Sequence, residues 1–163
     1  MSKRNNREWI EKRWYFLSLE ENKAIICRLV EIFNKHDVTL LDELIAPDFV
    51  DHDFQLKSLK SFKQTETLNF KVFPDIRRTI EDIIAEGDKV WIRFTDVGTH
   101  TGEYRGIPPT GKEITLTGVL IWRIVDGKVV EKAGVYDQMD FFKQVGVIKY
   151  TEIGKNLFPE DVS

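Results

Sequence analysis

Residues 113–137, E-I-T-L-T-G-V-L-I-W-R-I-V-D-G-K-V-V-E-K-A-G-V-Y-D, decide the reading of the fold. Two runs rich in Val, Ile, Leu, Thr and aromatic residues flank the pair Asp126-Gly127. Such side chains suit a pleated, half-buried surface. Asp-Gly tolerates the positive φ angles of a two-residue hairpin turn. The stretch predicts two antiparallel strands, Glu113–Val125 and 129–136, that end on a lone carboxylate, Asp137.

Upstream, G-T-H-T-G-E-Y-R-G-I-P-P-T-G-K over 98–112 reads as a glycine- and proline-rich loop. Before it, 77–85 and 89–99 are again strand-like and are joined by a turn at Glu86-Gly87-Asp88. The first half of the chain has helical spacing instead. Ile10, Trp14 and Leu17 mark a helix over 6–17. Ser18-Leu19-Glu20-Glu21 matches a capping box, which predicts a new helix ending near 34–36 with Ile25, Ile26, Leu29, Val30, Ile32 and Phe33 on its apolar face. A short helix capped by Asp37 or Thr39 follows, burying Leu40, Leu41, Leu44 and Ile45 and stopped by Pro47. Residues 49–53 read as a short strand. Leu59, Phe62, Leu68, Val72 and Phe73 mark a long helix ended by Pro74. Residues 138–147 suit a short terminal helix, and the tail to Ser163 reads as loosely packed. Helices first and antiparallel strands second predict an α+β domain whose curved sheet, covered by helices, encloses a small-molecule cavity.

The bulk properties agree with one domain. The chain has 163 residues, ordinary hydrophobicity and a net charge of −3. That charge does not suggest a nucleic-acid binder. Its one cysteine, Cys27, is expected as a buried reduced thiol, which fits a cytoplasmic location. No signal-peptide pattern and no membrane-length apolar run is apparent. Charge is uneven. Five basic and two acidic residues give 1–18 a charge of +3, leaving −6 on the remainder. This basic arm suits docking on the acidic body or on a second copy, or, more sharply, a membrane surface.

Phosphate-binding, metal and nucleophile-elbow motifs are missing, and His36, His52 and His100 lack metal-ligand spacing. No metal and no cofactor is expected. What remains is acid–base chemistry by isolated residues, or binding alone. Strict alternation puts Val129, Glu131, Ala133, Val135 and Asp137 on one strand face. If that face lines the cavity, Asp137 is a desolvated carboxylate with a raised pKa and suits a general base. Otherwise Asp137 is the N-cap of the helix after it. In Asp51-His52-Asp53, alternation turns either His52 or the two carboxylates inward. Arg123 either orients a substrate oxygen or lies on an exposed edge or interface. Trp91, Trp122, Tyr104 and Tyr136 either stack on a flat ligand or belong to core or dimer interface. His100 reads as a rim or turn residue.

The chain resembles the SnoaL-like polyketide cyclases, or ester cyclases, of the nuclear-transport-factor-2-like superfamily. The resemblance lies in A-P-D-F-V-D-H at 46–52, E-D-I-I-A-E-G-D-K-V at 81–90, the whole 98–112 loop, D-G-K-V-V-E at 126–131, and Asp137. It covers about 20–148, and the loop is its most specific part. It divides the chain into a basic helical extension (1–18), a SnoaL-like domain (19–148) and a tail (149–163). It implies a cone-shaped α+β barrel with a curved antiparallel sheet, a homodimer, and no metal or cofactor. The acid matching Asp137 would be the general acid/base of an intramolecular aldol cyclisation. Family members commonly carry His-Trp where this chain has Lys132-Ala133, which enlarges the pocket or removes a stacking platform.

Two functional expectations follow. One is a cofactor-independent cyclase or isomerase acting on an apolar, carbonyl-bearing, polyketide-like molecule. Asp137 and His52 would be catalytic, and Arg123, Trp91, Tyr104, Ala133 and Val135 would bind substrate. The other is a non-catalytic small-molecule binding protein on the same scaffold. A third reading makes the chain an interaction module that works through its basic arm. The expected partners are a small apolar molecule and a second copy, with no nucleic acid and no membrane.

Overall fold

The computed structural model describes residues 4–149, 151, 153 and 154, with side chains from Ser18 onward. The expected apolar face of 6–17 and most of the expected loose tail lie outside the described residues. One helix, α1 (Arg4–Asn34), runs straight through the expected cap at Ser18. Nothing between 4 and 34 breaks it, because the segment has no glycine and no proline and a single serine costs a helix little. Ile26, Leu29, Val30 and Ile32 face the core. Cys27, one step round the helix from Ile26, is exposed rather than buried.

A 3-10 turn at Val38–Glu43 follows, capped by Asp37, whose side chain accepts from the Thr39 amide. Pro47 does not stop it, because β1 (Ile45–Asp51) has already begun. The proline lies in a stretch of irregular register on an edge strand, where its missing N–H is tolerated. Helix α2 (Leu59–Val72) starts at the Ser58 cap and ends before Pro74, though Leu68 points to solvent. Strands β2 (Arg77–Glu86), β3 (Lys89–Thr99), β4 (Glu113–Val125) and β5 (Lys128–Tyr136) form an antiparallel meander, followed by α3 (Gln138–Gln144).

The sheet order is β1-β5-β4-β3-β2, and the sheet does not close. β1 pairs with β5 in parallel, so this strand departs from the antiparallel expectation. The long connection through α2 permits that direction. At the other edge, Asn34 caps β2: its side-chain oxygen accepts from the Arg78 amide at 2.7 Å and its amide donates to the Arg78 carbonyl at 2.9 Å. A side chain thus stands in for a missing strand.

One irregularity sets which side chains of β5 face inward. Ile124 pairs with Val129, but Arg123 pairs with Glu131, so Val130 is an extra residue. Such a bulge shifts the phase of everything after it. Val129 is buried in the core. Beyond the bulge Glu131, Ala133 and Val135 turn outward, and Lys132, Gly134 and Tyr136 turn inward. The inward faces of the sheet, α1 and α2 form the main core around Phe49, Phe62, Phe94 and Leu120. A second cluster of Val72, Phe73, Ile114, Phe141 and Val145 lies beneath α3 and the 98–112 loop.

Candidate functional site

The inward faces enclose a cavity of about 150 Å³. Its wall is mainly aromatic and aliphatic, with Phe54, Phe62, Phe73, Tyr104, Leu116 and Phe141 prominent. Polar side chains interrupt that wall, and five of them are buried or half-buried ionisable groups on its inner surface: Glu66, Arg78, Asp96, Lys132 and Tyr136. A few convergent polar groups in an apolar cavity are what orient a small ligand.

Four of the five are bound to protein partners. Arg78 and Asp96 face each other across β2 and β3. The guanidinium donates twice, Nε to Oδ1 at 2.8 Å and Nη2 to Oδ2 at 2.6 Å. Its carbon lies 4.4 Å from the ring centres of both Phe33 and Phe94. Burial opposes its charge, but Asp96 outweighs burial and holds Arg78 above its ordinary range. Across the cavity, Lys132 Nζ donates to Asp51 Oδ2 at 2.9 Å and Asp53 Oδ2 at 3.1 Å. The Tyr136 hydroxyl donates to the same Asp53 oxygen at 3.1 Å, and the Gly134 amide donates to Asp53 Oδ1 at 2.8 Å. A Cβ on residue 134 would lie 3.1 Å from Asp53 and 2.6 Å from Leu120, so this approach needs glycine. Burial works against the Lys132 charge, yet Tyr136 and Asp51 outweigh it and raise its pKa. Burial pushes the Tyr136 phenol up to about 12, against the pull of Lys132. Tyr136 therefore stays a hydrogen-bond donor at neutral pH.

Glu66 is the exception. It sits on α2 one turn after Phe62, buried, and its contact is a long 3.4 Å hydrogen bond from Asn69 Nδ2 to Oε2. Burial raises its pKa; Arg78 and Lys132 pull the other way and do not cancel it. The result is a carboxyl that holds its proton more tightly than an ordinary glutamate does, in a mainly apolar cavity, a property that suits a group exchanging protons with carbon.

The bulge overturns the β5 part of the site expected from alternation. Asp137 is exposed, and its side chain caps α3 by accepting from the Asp140 amide at 3.0 Å. It is the helix cap, not a desolvated carboxylate. His52 also faces out, 3.2 Å from Glu131, while Asp51 and Asp53 are the pair that turns inward. Arg123 lies on the outer face between Asp88, at 2.8 Å, and Glu131. Trp91, Ala133 and Val135 share that outer face. Tyr104 lies in the cavity wall against Phe73 and Phe141. Trp122 and Tyr136 also line the cavity. His100 is fully buried rather than at a rim, its Nδ1 3.1 Å from Thr110 Oγ1.

Two signals could have found the missed residues. Glu66 continues the apolar stripe of α2 at i+4 from Phe62. Asp96 follows Val90, Ile92 and Phe94 at alternate positions, a charge in an inward register.

The SnoaL-like polyketide cyclase family model matches residues 23–145. The aklanonic acid methyl ester cyclase DauD of Streptomyces sp. (strain C5) is 27% identical over 129 residues, 75% of this chain and 80% of that protein. AclR of Streptomyces galilaeus, for which a hydroxylase activity has been suggested, is 31% identical with a TM-score of 0.73, over 80% of this chain and 99% of that one. IdmH of Streptomyces antibioticus, suggested to be a polyketide cyclase, is 32% identical with a TM-score of 0.67, over 77% and 98%.

Proposed function

The chain belongs to the SnoaL-like polyketide cyclase family, and from that premise we propose that it is a cofactor-independent cyclase or isomerase that uses Glu66 as its acid/base. The observation that carries this reading is a buried, poorly partnered carboxyl in the wall of an apolar cavity. The substrate is an apolar, polyketide-like molecule with a hydrogen-bearing carbon next to a carbonyl. Glu66, as carboxylate, takes that proton. The electron pair moves onto the carbonyl oxygen, and the positive Lys132 and the neutral Tyr136 phenol favour the resulting enolate. In cyclisation the enolate carbon attacks a second carbonyl of the same molecule. A carbon–carbon bond forms, and the new alkoxide recovers the proton from Glu66. In isomerisation the proton returns to a different carbon.

The test needs no knowledge of the natural substrate. Proton NMR would follow deuterium uptake at the acidic C1 position of 2-tetralone in heavy water. The full chain accelerates exchange over buffer, and Glu66→Gln loses about 10²-fold or more of that acceleration. Binding of 2-tetralone without accelerated exchange would favour the non-catalytic binding reading.

A homodimer belongs to the same proposal. It is supported by the outer sheet face, where Ile84, Trp91 and Val135 are 60%, 42% and 75% exposed and lie beside Val119, Ile121 and Ala133. A contiguous apolar patch of this kind suits a two-fold contact. A cytoplasmic location is also proposed, on the single, unpaired cysteine. No helix among the described residues is long and apolar enough to cross a membrane.

A further inference from the structure

The 98–112 loop is the most distinctive part of the sequence, yet the proton chemistry above makes no use of its tip. The loop is well anchored. The Thr101 and Gly102 amides donate to the Val72 carbonyl at 3.0 and 3.1 Å, and His100 and Lys112 are joined backbone to backbone at 2.9 Å. At the tip, Tyr104 and Ile107 exchange two 2.9 Å backbone bonds around Arg105-Gly106. Both central residues have positive φ, +51° at Arg105 and +84° at Gly106. That turn favours Gly, Asn or Asp, so turn chemistry does not account for an arginine there.

Arg105 is exposed and also lines the cavity, which puts it at the mouth. Its guanidinium carbon lies 5.4 Å from the Tyr104 ring centre and 5.6 Å from that of Phe54, bridging the loop and the segment after β1. Among the described residues, three cations line the cavity: Arg78, Arg105 and Lys132. Arg78 is engaged by Asp96, and Lys132 by Asp51 and Asp53. Among the described residues Arg105 has no carboxylate partner. Deeper in, Arg78 and Lys132 face three carboxylates, Asp51, Asp53 and Asp96, even before Glu66 is considered. The interior cations are therefore already committed to carboxylates of the protein, while the mouth offers an unspent, planar, five-donor cation.

We propose that Arg105 is a specificity-determining residue that binds a carboxylate of the substrate at the cavity mouth, leaving the apolar body of the substrate to enter the cavity. The assignment rests on the cavity being the substrate site. It fixes the substrate class as an apolar molecule with an anionic end, and it fixes which end goes in first.

Isothermal titration of the full chain with 2-naphthoate and with its neutral methyl ester tests this. The wild-type protein binds 2-naphthoate about tenfold more tightly than the ester, and added salt narrows the difference. Arg105→Gln abolishes the preference and leaves ester affinity within about twofold, whereas Arg105→Lys retains part of it. Equal wild-type affinities overturn the assignment. So does a preference that survives Arg105→Gln, or an equal loss of both ligands, which would mark Arg105 as packing alone. Ester binding without a carboxylate preference removes Arg105 but keeps the cavity as a binding site. Binding of neither probe removes both.

Discussion

Glu131 and Lys132 are adjacent on β5 and live in opposite worlds. Glu131, on the outer face, holds Arg123 and His52 in a half-exposed cluster. Lys132, on the inner face, is buried between Asp51 and Asp53. Each lies in a network of charged groups with good geometry, and water separates their consequences. Outside, solvent screens the charges and competes for their hydrogen bonds, so the ion pairs contribute little. Inside, every charge needs a partner, and a group left without a strong one has its protonation equilibrium moved. The proposed chemistry is therefore placed on the inner face, with Glu66, although the outer face also presents a histidine, an arginine and a carboxylate together.

Four variants probe that contrast. The largest effect falls on the buried pair. Arg78→Met strands Asp96 and should destabilise the fold by about 3–5 kcal/mol in urea unfolding. Arg123→Met, the same change on the outer face, should leave the midpoint nearly unmoved. Comparable losses would erase the distinction between the two faces.

A smaller effect depends on pH. Because the folded chain raises the Glu66 pKa, it binds that proton more tightly than the unfolded chain does. The associated stability is fully present below the ordinary glutamate value of about 4.3 and is lost as pH rises through the elevated folded value. Glu66→Gln is neutral throughout, so thermal melts across pH should lose this slope, leaving the variant the more stable form at alkaline pH. An unchanged slope would show that Glu66 titrates normally.

The smallest effect on stability is expected at the outer surface. Val135→Asp should change the unfolding free energy by no more than about 0.5 kcal/mol. In sedimentation it should turn a dimer into a monomer. A wild-type protein that sediments as a monomer would remove the dimer from the functional reading.

The sequence was most legible where local signals are strong. The bounds of β3 and β4 and the turn at Asp126-Gly127, with φ of +51° and +74°, follow from composition and turn chemistry. The family resemblance and the α+β class also stand. The site was less legible because one inserted residue, Val130, reverses the strand face after it and has no glycine or proline to mark it. Alternation carried past it sends Asp137, Ala133 and Val135 inward and hides Lys132. The parallel pairing of β1 depends on a long-range partner that no local pattern encodes. The burial of Glu66 was readable in principle from the stripe of α2, but carboxylates on helices usually face solvent.

The most direct test sets the two candidate acids against each other. Deuterium exchange into 2-tetralone would be measured side by side for Glu66→Gln and Asp137→Asn. If the inner face carries the chemistry, Glu66→Gln loses the acceleration and Asp137→Asn keeps it, with at most the stability cost of a weakened helix cap. Loss of exchange in Asp137→Asn together with wild-type exchange in Glu66→Gln would contradict the account and return the base to the end of the last strand.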